Sequence, residues 1–547
     1  MCGSRRKLSD SYMKKWLLFF ITILMLTSLS TTWAAENINQ PKGKILFIPH
    51  DNRPISKAET AEVVEKLGYE VVTPPDAILS NGNNRYGDTT KLWSWTEKNL
   101  PGTDALVIST DTMIYGGLVP SRNHKLQPAE LALRIAKFKE LRAKNPKLKI
   151  YGFGSLMRTP RSGAYAGAEE PAYYRQYGEA IFNTCALLDK KEMQGLNASD
   201  EAKLKAYQTS VPADDWKDWL GRRDKNIAVS KNLIDFTKNG VFSYFVIGKD
   251  DNAPLSQTHR EGRYLAEYAK DIPATKFQLL AGIDEFGMLL LSRAVNDLEQ
   301  QIPFVYVKYA AGKGAATVPS YSDTKISDTI RSSILVAGGM QVNNPAKADL
   351  YLLVNTNNDG RTGEANNVSK VKGQIANDGS LRKNTKSFVQ MVNNAVASGY
   401  PVGIADIAFG NGADNALMTQ LRDNGLLYKI RAYAGWNTPT NSTGFVIGTG
   451  LLANRLDDAA CDSLLTRRYL EDWGYQANVR TAVGDSIYKF RDSSVYSNLG
   501  RNEAGVLNLI NIKIKKFAEK NLPPFSELIN LKAYLPWHRM FEAGFDY

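Results

Sequence analysis

From Lys44 onward, short runs of β-branched and aromatic residues alternate with longer stretches whose apolar positions recur at helical spacing. The predicted strands are Lys44–Ile48, Glu70–Thr73, Ala105–Ser109, Lys149–Phe153, Phe242–Ile247, Phe277–Ala281, Phe304–Val307, Asp349–Val354, Val402–Ala405 and Tyr428–Ala432. Most are apolar on both faces, the pattern of strands buried in a parallel sheet. Between them lie helical segments such as Pro128–Lys144, which opens on a proline and stops before Asn145-Pro146. Repeated strand–helix units imply a parallel α/β sheet, open or closed. The first eight strands are expected to close a (β/α)8-barrel-like sheet, with the last two in an appended unit. Two doubly wound α/β domains dividing near residue 300 are the alternative.

Two regions break the rhythm. Residues 161–238 hold no strand-like run and carry Tyr165, Tyr173, Tyr174 and Tyr177 among polar residues, so a mainly helical insertion is expected there. It interrupts an α/β catalytic or binding unit spanning 36–440, and 441–547 reads as a mainly helical C-terminal region. At the other end, Lys14 and Lys15 precede an apolar run from Trp16 to Leu29, and Thr32-Trp33-Ala34 closes it with small residues. This is the layout of a secretory signal, residues 1–35, removed on export to the periplasm or medium. Translation from Met13 would give it a more usual length. The run is short for a membrane anchor, so no stable span is expected after cleavage.

With 43% hydrophobic and 23% charged residues in 547, the chain is neither disordered, collagenous nor coiled-coil. Its formal charge of +12 suggests a polyanion partner, but four of those charges belong to the leader. The rest are dispersed, and Lys513 to Lys516 alternate with Ile and Phe as a solvated helix face does, so no nucleic-acid partner is expected. Cys185 and Cys461 could pair in an oxidising compartment or remain free thiols. None of the four histidines has zinc-ligand spacing. No cofactor is called for, although the carboxylates leave a divalent metal open.

Ligands of parallel α/β folds bind outside the carboxyl ends of the strands. Several predicted strands end in charged residues, Asp51 and Arg53, Asp111 with Tyr115 and Arg122, Arg158, Asp250-Asp251, Asp284-Glu285, and Asp406 with Asn411, and the last runs into Trp436-Asn437. Two carboxylates held close repel, so one keeps its proton and can act as an acid while the other stays charged. Glycosidic cleavage uses that division of labour. Asp250 and Asp251 are therefore the leading catalytic candidates, with Asp284 and Glu285 next. Neighbours on a straight strand point to opposite faces, so either pair works together only where the chain bends. Asp51, Arg53, Asp111, Tyr115, Arg122, Arg158, Asp406, Asn411, Trp436 and Asn437 are the expected substrate-binding set. Gly312-Lys313-Gly314 is too short for a dinucleotide loop, Asn366 stands where a calcium loop needs its glutamate, and no G-x-S-x-G elbow occurs.

The set Asp51-Asn52-Arg53-Pro54, Tyr115-Gly116-Gly117-Leu118-Val119, Asp250-Asp251, Asp284-Glu285-Phe286-Gly287, Ala405-Asp406 with Asn411-Gly412, and Tyr433-Ala434-Gly435-Trp436-Asn437-Thr438 resembles the bacterial family called domain of unknown function 4127. The likeness runs through nearly the whole mature chain and departs at His50, where an apolar residue is expected. It implies no activity. Asp250-Asp251 also resembles, in type only, the neighbouring aspartates of substrate-assisted N-acetylhexosaminidases. The expected function is an exported glycoside hydrolase acting on an N-acetylated or acidic glycan. The rivals are a metal-dependent phosphate or sulfate ester hydrolase and a non-catalytic periplasmic glycan-binding or envelope protein. Oligomeric state is left open.

Overall fold

The computed structural model describes residues 40–82, 85–163, 166–368, 373–487, 498–522, 528 and 530–547. The expected leader at 1–35 lies outside the described residues, as does Tyr165. Lys44–Tyr547 form one compact unit.

Its strands form two open parallel sheets. Lys44–Ile48 (β1), Glu70–Val72 (β2), Ala105–Ser109 (β3), Lys149–Leu156 (β4), Tyr244–Lys249 (β5) and Phe277–Ala281 (β6) pair in the order β2-β1-β3-β4-β5-β6. The second sheet uses Phe304–Tyr309 (β7), Met340–Val342 (β8), Leu350–Asn355 (β9), Val402–Asp406 and Ala432–Ala434. Gly363–Glu364 (β10) and Phe409–Gly410 (β12) pair as a separate short ladder, so Val402–Asp406 is β11 and Ala432–Ala434 is β13. The larger set runs β8-β7-β9-β11-β13. Both sheets share one winding: the second strand joins outside the first, and later strands add on the other side.

The expected barrel is therefore replaced by two doubly wound sheets, with the change of sheet between β6 and β7. The reason lies in the helix Phe286–Leu298 that joins them. It is buried on nearly every side, from Phe286 through Leu291 and again at Ala294 and Val295. A barrel's outer helix needs one apolar stripe, whereas a helix apolar all round must be covered on both sides. One core cluster does this, combining Phe47, Tyr151 and Val246 of the first sheet with Leu352, Val354 and Ala405 of the second. Helix Pro439–Ala453 shares that middle layer, packing Phe445, Val446 and Leu452 into the same cluster.

Alternate residues on each strand face outward into separate cores. Leu46, Ile108 and Phe245 meet Leu131, Ile135 and Phe138 of helix Pro128–Lys144, which has the predicted bounds. Leu353 and Ile404 meet Phe388 and Leu417 on the far side of the second sheet. The 161–238 region contributes helices Tyr174–Gln194, Ala198–Ser210 and Ala213–Lys238, with a small core around Tyr174, Ile181, Cys185 and Trp219. After Ala453 come helix Asp458–Arg468, a π-helical stretch Tyr469–Val479, helices Arg480–Ile487 and Glu503–Asn521, and a closing antiparallel hairpin, Lys532–Tyr534 (β14) with Gly544–Asp546 (β15). The predicted strand Tyr428–Ala432 forms only at Ala432–Ala434, because its neighbour β11 starts at Val402 and Arg431 is the first residue to bond it. Cys185 and Cys461 are both buried and unbonded. No helix among the described residues is long and apolar enough to cross a membrane.

Candidate functional site

The carboxyl ends of the two sheets face a common cleft of about 530 Å³, lined by Arg53, Arg122, Arg158, Asp250, Asp251, Asp284, Asn411 and Asn437 of the predicted set. Strand ends that are far apart in sequence thus converge. Four of the six non-glycine residues with positive φ, counted among the described residues, line it: Asp251 (36°), Tyr321 (62°), Asn411 (58°) and Asn437 (58°). Left-handed backbone costs about 1 kcal/mol or more in such residues and persists where the surroundings impose it. At Asp251 it supplies the bend that a straight strand lacks. β5 ends at Lys249, and the turned chain brings both Asp250 and Asp251 to the cleft.

One wall is built outward from Asp51. Its carboxylate accepts from the Arg53 amide at 3.0 Å and from Arg53 Nε at 2.9 Å, fixing the guanidinium. Arg53 Nη2 then donates to Asp284 Oδ1 at 2.6 Å, and His50 Nε2 lies 2.9 Å from the same oxygen. Asp284 Oδ2 accepts from Asn437 at 2.7 Å and Asn441 at 2.9 Å. Burial alone would raise the Asp284 carboxyl, but Arg53 and His50 hold it well below the usual carboxylate range. With both oxygens saturated, Asp284 ties the first sheet to the loop after β13 and is unsuited to donate a proton.

The opposite wall is a lattice of arginines around Glu169. This carboxylate accepts from Arg122 at 2.9 Å, Arg158 at 2.7 Å and Arg539 at 2.5 Å, and the three hold it far below its ordinary value despite burial. Arg122 reaches on to Asp250 at 2.6 Å, and Arg158 to Asp251 at 2.9 Å and Glu170 at 2.7 Å. Asp251 keeps 26% of its side chain exposed. Burial, and next the neighbouring Asp250, push its carboxyl up to about 6 against the pull of Arg158 and Arg122.

Six predicted residues do not line the cleft. Asp51 lies behind Arg53. Asp111 is buried, accepts from Ser155 at 2.6 Å and is pushed by burial to about 7. Tyr115 is stacked on His124 at 4.8 Å. Asp406 accepts from Asn355, Tyr433 and the Asp414 amide beneath the second sheet, and burial beside Asp414 raises it. Trp436 is buried against Phe445.

Glu285 is the clearest departure from expectation. It is fully buried and does not line the cleft, and burial holds its carboxyl well above the usual range. It fills a slot between Gly282 and Gly444, where a Cβ on Gly444 would come within 2.3 Å of Glu285 Cγ. Alanine in place of a helical glycine normally stabilises by a little under 1 kcal/mol. Here Gly444→Ala is expected to destabilise by about 1–3 kcal/mol through overpacking, read from the urea midpoint.

The sequence reading missed Glu169, Tyr321, Trp537, Arg539 and Phe541, all of which line the cleft. Glu169 sits in the region taken for a plain insertion. The other notable group comes from the β14–β15 connection, whose run Trp537-His538-Arg539-Met540-Phe541 could have flagged a non-helical tail. Trp537 donates to Asn52 at 2.9 Å and lies between two guanidiniums, Arg53 at 5.0 Å and Arg539 at 4.6 Å from its ring centre. It spaces the arginines.

The family described as "Protein of unknown function (DUF4127)" matches residues 45–546. The chain belongs to this family. No curated protein matches it. Within this DUF4127 protein the family-like motifs Asp51–Pro54, Asp250-Asp251, Asp284 and Asn437 meet at one cleft, while Asp406 and Trp436 are buried and do not line it.

Proposed function

We propose that this protein is a glycoside hydrolase acting on an N-acetylated or acidic glycan outside the cytoplasm. What supports the reading is the Asp250–Asp251 pair: two adjacent carboxylates turned into one cleft, the more exposed of them raised to about 6. Asp251 protonates the leaving glycosidic oxygen as the bond to the anomeric carbon breaks. Asp250, oriented by Arg122 at 2.6 Å, polarises the acetamide whose carbonyl oxygen attacks that carbon. Water then opens the resulting ring, returning its proton to Asp251. The cleft arginines favour a substrate with anionic substituents.

The metal-dependent rival meets an unsuitable donor set. Each carboxylate on the cleft wall already lies within 2.9 Å of a guanidinium, so a divalent ion would have to displace arginines. Among the described residues no three His, Cys, Asp or Glu side chains are grouped to hold one. Turnover is expected to survive EDTA; loss that Mg2+ or Mn2+ restores would move the assignment to ester hydrolysis.

The direct test is reducing-end release from a panel of N-acetylated, uronic-acid and neutral glycans by wild type, Asp250→Asn and Asp251→Asn. Activity on the N-acetylated glycans, those with acidic units included, that each substitution lowers sharply is expected. Undiminished activity in both variants overturns the roles given to this pair. Thermal stabilisation by a glycan without any turnover would identify a binding protein instead.

A further inference from the structure

A second depression of about 670 Å³ adjoins the cleft, sharing Tyr321 with it and beginning at Asn252, the residue after Asp251. Its charged lining differs from that of the cleft. The cleft sets Arg53, Arg122, Arg158 and Arg539 against Glu169, Asp250, Asp251 and Asp284, a balanced count. The depression carries Arg161 and Arg361 and, among the described residues, no carboxylate on its walls. Arg361 is paired with Asp359 at 2.7 Å, but Arg161 has no ion pair among the described residues and rests over the Phe182 ring at 5.0 Å. Asn252 is 3% exposed; its Oδ1 accepts from Ser256 at 3.0 Å, while its Nδ2 has no hydrogen-bond partner. A buried amide donor is costly to leave unpaired unless something accepts from it.

We infer that this depression is a second sugar subsite that receives the carboxylate of the unit next to the one cleaved, held by Arg161 and Arg361, with Asn252 Nδ2 donating to a sugar oxygen. The inference rests on the glycan reading and narrows it to chains of at least two units with an acidic substituent. Asp251 lies at the junction, which puts the proton donor between the two units. Tyr321, in left-handed backbone and hydrogen-bonded to Glu364 at 3.1 Å, forms the fixed partition.

The test is calorimetric binding to the Asp251→Asn protein, which needs no turnover, using a hyaluronan tetrasaccharide, in which N-acetylated and uronic-acid units alternate, and its fully methyl-esterified form. The two probes match in length and differ in charge. The acidic probe is expected to bind about tenfold more tightly, and Arg161→Ala with Arg361→Ala is expected to remove most of that preference. Both arginines are exposed, so the double variant should fold; circular dichroism checks this. An equal preference in the double variant, no preference before substitution, or no binding of either probe each overturns the subsite. Charge-dependent binding that needs both arginines, with no hydrolysis of any glycan by wild type, would keep the subsite and discard the glycosidase.

Discussion

Glu169→Gln is expected to cost about 3–5 kcal/mol of folding stability, the largest effect of any single replacement in the site. Among the described residues Glu169 is the only carboxylate shared by Arg122, Arg158 and Arg539, all three within 2.9 Å of it. Glutamine keeps the shape and one acceptor oxygen but withdraws the charge and turns an NH2 group toward a guanidinium. Three desolvated arginines would then lose their shared counter-charge and keep outer partners such as Asp250, Asp251, Glu170 and Glu542. The pH dependence has a definite sign. Because the folded carboxyl is held far below its ordinary 4.5, its stabilisation is fully present above that value and is lost as pH falls below it. Urea unfolding followed by tryptophan fluorescence should show wild type losing stability below about pH 4.5 with a slope that Glu169→Gln flattens. A cost under about 1 kcal/mol at pH 7 would mean the lattice is solvated and not a structural hub.

Strand positions were legible because a buried parallel strand is written locally: Lys44–Ile48, Ala105–Ser109 and Phe277–Ala281 need only apolar runs bounded by turns. How those strands partition was not, since it depends on what covers the connecting helices. The information existed at Phe286–Leu298, whose Gly-Met-Leu-Leu-Leu run is too apolar for a helix with one wet side. Met340–Val342 escaped notice because three residues at a sheet edge carry no period to read.

The site was legible to the extent that it is built from strand ends, which the parallel topology gathers at one edge. Reading alone could not rank those ends. Asp250, Asp284, Asp111 and Asp406 are the same residue type in the same kind of position. What separates them is whether arginines, amides or a single serine face them. Arg539 and Trp537 arrive from the last hairpin and Glu169 from the helical insertion, contacts 370 residues apart in the case of Arg539 with Glu169. No local pattern encodes a contact of that separation. His50, which departs from the family-like pattern, proves to be placed against Asp284 and Arg53.

Asp251→Asn is expected to lower turnover on the hydrolysed glycan by about 10²–10⁴-fold, the usual contribution of a positioned general acid, with a much smaller change in KM. The amide can still accept from Arg158 but has no proton to give. The pH profile carries the sharper test. A carboxyl raised to about 6 donates while protonated, so kcat should fall as pH rises through about 6. Asp250→Asn should shift that limb as well as slow the reaction. Removing the neighbouring negative charge removes one of the influences that raises Asp251, and it releases Arg122 to act on Asp251 more strongly. Both changes lower the Asp251 carboxyl, so residual activity should decline from a more acidic pH than in wild type. A general acid elsewhere in the cleft would leave the limb where it was. Asp284 cannot take the part, since its two oxygens already accept from Arg53, Asn437 and Asn441 and its carboxyl is held far into the acid range. An alkaline limb that does not move in Asp250→Asn would therefore dissolve the pair as a catalytic unit, even if each substitution alone were damaging.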